Sequence, residues 1–180
     1  VTFVAIGHEL GHLLVARFFR IPVKLIAVGL GPTLWQRSLG DGVWLVMRAL
    51  PVGMTVGVVG RRGPDGQVRR PLEHDAAMAA AGPLANFLMV VALLGAALVV
   101  DPAPALHSWF ITTAALSLLL AILNLIPLPG LAGGHLLILT AARLGIQLSP
   151  QQEATLHRVG LRLTAVACAV FCAARVLGVA

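Results

Sequence analysis

Residues 7–12 read GHELGH, inside the apolar run VTFVAIGHELGHLLVARFF. On a helix, His8 and His12 lie one turn apart and project from one face, with Glu9 beside them. Two imidazoles at that spacing can ligate one metal ion. Zinc suits such a donor set, and it lowers the pKa of a bound water to about 7, which gives a nucleophile at neutral pH. Glu9 is then placed to take that water's proton. Ionisable groups inside a membrane-length apolar helix are expensive and functional by default. The residues point first to metal-dependent hydrolysis. A structural metal site and a histidine relay for ion transport are the alternatives.

The elements that must position these groups follow from composition. Of the 180 residues, 58% are hydrophobic and only 11% charged, and the mean hydropathy is +0.93. A soluble domain would carry roughly 25% charged residues. The expected fold is a polytopic α-helical membrane protein forming a single domain, 1–180. Four stretches, 1–20, 76–100, 107–127 and 155–179, are long and apolar enough to cross a bilayer, which takes about 20 helical residues. No basic n-region with a small-residue cleavage site is recognisable, so no signal peptide is expected. The start at Val1, without Met, suggests trimming from a longer chain.

Residues 21–60 break this helical pattern. VKLIAV, VWLVMRAL and MTVGVV read as strands between glycines and prolines, with GDG at 40–42 as a turn. They are too apolar for water and too few for a closed barrel. Non-helical backbone at membrane depth needs protein or a wet cavity around it. A membrane-embedded β-hairpin sheet after the first helix is therefore expected, dipping in from the cytoplasmic side. Residues 61–75 read as a polar loop. AGPLANF, 81–87, opens the second crossing with small residues that permit close helix packing. Cys168 and Cys172 share one face of the last helix and read as packing residues.

Charge placement sets the orientation. Nine of the 13 Lys and Arg lie between Arg17 and Arg70, whereas DPAPALH, 101–107, has none. Arg143, Arg158 and Arg162 fall around the next connection. By the positive-inside rule, 20–75 and 128–155 face the cytoplasm and 101–107 faces out. Arg175 runs against this pattern, although its long side chain can reach either surface. The net charge of +6 follows these loops, so nucleic acid is not an expected partner. His12 precedes Arg20 by eight residues, about 12 Å of helix, which places the histidines in the cytoplasmic half of the bilayer.

GHELGH in the first helix, the segment GLGPTLWQRSLGDGVWLVMRALPVGMTVGVV, AGPLANF and NLIPLPGLAGGH resemble, in order, the site-2 protease family of intramembrane zinc metalloproteases. The resemblance implies cleavage of a peptide bond in the transmembrane segment of a membrane protein or membrane-bound peptide. It implies a multi-pass protein of the cell membrane, and the composition looks prokaryotic. It implies zinc on His8 and His12, with Glu9 as general base and then as proton donor to the leaving amine. It also implies that Asn124 helps position substrate; capping the end of its helix is the plain alternative. The β segment would hold substrate extended by strand addition.

One position departs from the pattern. Where the family carries the aspartate of LDGG, this chain reads Leu131-Ala132-Gly133-Gly134-His135. The third zinc ligand is thereby replaced by the methyl group of Ala132, which cannot coordinate. His135 is the best substitute, with a structural role the more expected one. Weak or absent activity follows as an expectation. Two further readings stay open: a non-catalytic relative that binds transmembrane helices, and a small metal or proton transporter using His8, Glu9 and His12.

Overall fold

The computed structural model describes residues 2–61, 67–99, 103–146, 148–149, 151–160, 162–163 and 166. The apolar run around the histidines forms one helix, α1 (Thr2–Phe18). It ends in a Schellman motif. Arg20 takes a left-handed conformation (φ 54), its amide donates to the Arg17 carbonyl at 3.2 Å, and the Ile21 amide donates to the Ala16 carbonyl at 2.7 Å. Pro22 then prevents any further turn. Ala16 and Ile21 are buried with Met78, and Val15, Phe19, Val23 and Val58 pack around them.

Two long strands follow, β1 (Val23–Gly40) and β2 (Val43–Val58), in one antiparallel sheet. Asp41 and Gly42 join them, both at positive φ (49 and 74), the signature of a two-residue type I′ hairpin. Both strands bend, so Leu25–Val28 has partners on two sides. Met54–Gly57 lies along one and Trp44–Met47 along the other. The stretch 54–58 pairs with β1 alone and so forms an edge of the sheet. The sequence predicts three strands; in the structure VWLVMRAL and MTVGVV belong to the one strand β2, and β1 continues through 29–40. Gly29, Gly31 and Pro32 mark a strand end by residue type, but the register slips between Leu30 and Thr33 and the strand runs on.

The next helices are α2 (Leu72–Val99), α3 (Pro104–Leu125) and α4 (Ala132–Arg143). Residues 151–160 are also helical. Their start is closed by a reciprocal cap: the Gln152 amide donates to Ser149 Oγ, and the Ser149 amide donates to Gln152 Oε1. Among the described residues, α2 and α3 are long and apolar enough to cross a membrane. The expected fourth crossing, 155–179, lies mostly outside the described residues, as do Cys168 and Cys172. The chain divides into two compact units, Val1–Asn124 and Leu125–Ala180.

The polar loop expected over 61–75 is shorter than that. Glu73, His74 and Asp75 belong to the first turn of α2, and Asp75 is buried. Its carboxylate accepts from Arg70 Nε at 2.6 Å and pairs with Arg61 Nε at 3.1 Å, while Arg70 Nη1 donates to the Val59 carbonyl. An acidic first turn also suits the helix dipole. The cluster ties the end of β2 to the start of α2. Asp75→Asn leaves two arginines facing a neutral amide at a buried site, and should destabilise the fold by about 3–5 kcal/mol. Unfolding of the detergent-solubilised chain measures this.

Candidate metal centre

Helix α1 brings His8, Glu9 and His12 together. One ligand atom from each lies within 4.8 Å of the others. The two Nε2 atoms face each other at 3.3 Å, and His8 is buried. Helix α2 supplies the wall behind them. Gly11 of α1 sits so close to α2 that an added Cβ would meet the Ala81 carbonyl oxygen at 2.5 Å and Ala85 Cβ at 2.6 Å. At the same crossing, a Cβ on Gly82 would fall on the nitrogen-bearing edges of both imidazoles. Small residues here allow backbone to approach side chain.

Each ring has a partner on its other nitrogen. His12 Nδ1 lies 2.7 Å from the Met78 carbonyl, which can only accept, so Nδ1 carries the proton and Nε2 presents its lone pair. The Asn86 side-chain amide lies 3.1 Å from His8 Nδ1, in a fully buried position. The third group is held from the sheet, where the Val56 amide donates to Glu9 Oε2 at 2.8 Å. Val56 pairs with Ile26 across the sheet, so strand 54–58 meets α1 through its free edge. Two converging imidazole nitrogens with oriented rings, beside a carboxylate, fit a divalent transition-metal ion.

The other expected residues are placed less tellingly. Asn124 Nδ2 donates to the Leu120 carbonyl at 2.9 Å, the helix-end bond that was its plain alternative. Ala132 is the first residue of α4, in the second unit, and His135 lies one turn further on and is exposed.

Comparison with known proteins gives the geometry a family. The model of peptidase family M50 matches residues 1–104 and 101–167. The chain belongs to peptidase family M50. A Xylella fastidiosa protein named as a proposed zinc metalloprotease is 36% identical over 95 residues, which are 48% of this chain and 21% of that one. Protease RseP of Yersinia pestis is 33% identical over 94 residues, 47% of this chain and 20% of the relative. These matches cover about a fifth of the curated relatives' length. The solved site-2 protease of Methanocaldococcus jannaschii is 22% identical, with a TM-score of 0.51 over 91% of this chain and 61% of that one. The fold is site-2-protease-like, with its β sheet, and the resemblance drawn from the motifs stands.

Gly82, Asn86 and the Val56 amide were missed in the sequence as parts of the site. For Asn86 a signal existed: it is a polar side chain within an apolar run, the argument already applied to His8 and Glu9. A backbone amide such as Val56 has none.

Proposed function

We propose that this chain is the catalytic core of an intramembrane zinc metalloprotease, weakened or inactive because Ala132 stands where a third zinc ligand is expected. The observation that carries the reading is the convergence of His8 Nε2 and His12 Nε2 at 3.3 Å, with Glu9 held beside them by Val56. In this reading four helices cross the cell membrane, the sheet enters from the cytoplasmic side, and all 180 residues form one catalytic domain. The relatives' names support zinc as the metal and proteolysis as the activity.

His8 and His12 would hold the metal through their facing Nε2 atoms. Zinc, when bound, supplies Lewis-acid polarisation of a carbonyl and water activation at neutral pH. Glu9 accepts the proton of the attacking water at Oε1, since Oε2 is held by Val56, and delivers it to the leaving amine nitrogen. A substrate helix hides its carbonyls, so the segment must unwind first. Adding it as a strand at the 54–58 edge would bring it next to Glu9, with the Val56 amide left to the carboxylate and not to the added strand. Asn124, at the end of α3, assists in holding the unwound segment.

The test uses a labelled single-span peptide co-reconstituted in liposomes with the Ala132→Asp chain. Cleavage should require zinc and fall by about 10²–10⁴-fold in a further Glu9→Gln change, with zinc content retained. Tight zinc without cleavage of any membrane peptide would favour a non-catalytic binder. Ion flux into sealed vesicles that Glu9→Gln abolishes would favour a transporter.

A further inference from the structure

Asn86 occupies an unusual position. It is fully buried on α2, its amide faces His8 Nδ1, and its Oδ1 has no hydrogen-bond partner. A buried polar atom left unpaired forfeits its hydration without compensation, so the site needs a reason to keep it. The main chain here does not supply one: Ser117 Oγ donates to the Asn86 carbonyl at 3.1 Å, which engages the backbone and leaves the side chain to His8.

The protons in this network are constrained. His12 donates from Nδ1 to Met78, so its Nε2 accepts. The Asn86 amide nitrogen faces His8 Nδ1 and can only donate, so the neutral His8 ring accepts there and carries its proton on Nε2. Ligation demands the reverse. For both Nε2 lone pairs to face one metal ion, the His8 proton must move to Nδ1 and find an acceptor there. The amide of Asn86 has the same outline either way round, and half a turn about χ2 brings Oδ1 to that place. Leucine could do neither job, and a carboxylate only the second.

We propose that Asn86 is the positioning residue of His8, and that its Oδ1 accepts the Nδ1 proton when His8 turns Nε2 to the metal. The inference rests on the proposed metal site and deepens it. Asn86 thereby selects the ring tautomer that binds and fixes the ring plane. It touches neither substrate nor metal.

The experiment measures zinc affinity by competition with a chromophoric chelator, in detergent-solubilised full chains with Ala132 and with Ala132→Asp. Asn86→Leu should lower affinity by about 10–100-fold in whichever background binds zinc. Asn86→Asp, which keeps the acceptor, should stay within about threefold of its parent. A residue that merely filled space would give the opposite order, with Leu tolerated and the buried charge damaging. Equal affinity for Asn86→Leu and its parent overturns the proposal, as does equal loss in both variants. A second reading needs no change at position 86. With ¹⁵N-labelled histidine, zinc should leave His12 protonated at Nδ1 and move the His8 proton from Nε2 to Nδ1. Metal on His8 Nδ1, or a proton that stays on Nε2 in the loaded chain, overturns it. Failure of zinc to bind either parent defeats the metal site itself. Binding that ignores position 86 defeats only the assignment of Asn86.

Discussion

On the proposed reading, Ala132→Asp should raise zinc affinity by about 10²–10³-fold and raise cleavage activity with it. The magnitude follows from ligand number. Structural zinc sites bind with about 10–16 kcal/mol over four ligands, or about 2.5–4 kcal/mol each, and about 1.4 kcal/mol is tenfold. Two histidines alone fall short of the three protein ligands that catalytic zinc takes beside its open position. The fold accepts the change locally. Ala132 is half-buried at the first position of α4, whose first turn has no acidic residue and whose N-cap Leu131 makes no side-chain cap. A carboxylate there meets the positive end of the helix dipole, a gain of about 0.3–1 kcal/mol. Gly133 and Gly134 are buried against the carbonyls of Leu125, Ile126 and Leu128, so the loop before α4 and its first turn are packed as one piece. Zinc per purified chain, measured with and without the substitution and with a His8→Ala control, checks this. Equal and tight zinc in both forms would mean that another residue completes the site, with His135 the first to replace.

The division between what could and could not be read in the sequence has a physical cause. His8, Glu9 and His12 were legible because their spacing is a property of one helix, and α1 carries it unchanged. The Asp41–Gly42 turn was legible for the same reason: positive φ at two successive residues is a local demand that residue type answers. Asp75 was misread as loop because its partners, Arg61 and Arg70, lie outside its helix, and only the fold makes the site dry. The continuation of β1 past Gly29 and Pro32 was hidden because a bulge absorbs what residue propensities count as a break. Asn86 and Gly82 stood inside a motif recognised for close packing. Their meaning lies in what they approach, and that is set by the crossing of α1 and α2.

Gly82→Ala should therefore cripple the metal binding and activity of the Ala132→Asp chain, while Gly95→Ala, thirteen residues along the same helix, should do neither. Both replace glycine by the best helix former, which favours an exposed helix interior by about 0.8–1.0 kcal/mol. They differ in what the new methyl meets. At Gly95 nothing lies within 4 Å. At Gly82 the methyl would enter the space on which His8 Nε2, His8 Cε1 and His12 Nε2 converge, where the metal must sit. Neither helix can back away cheaply, because Gly11 is already packed against Ala81 and Ala85 at the same crossing. Nor can the rings rotate aside without giving up the Met78 and Asn86 bonds that orient them. In the Ala132→Asp background, zinc affinity should fall by at least about 100-fold for Gly82→Ala, the scale of losing one ligand or more. It should stay within about twofold for Gly95→Ala, with thermal stability unchanged or raised. Comparable zinc binding in the two variants would show that the imidazoles have room the present packing denies, and that α2 is not the wall that sets their geometry.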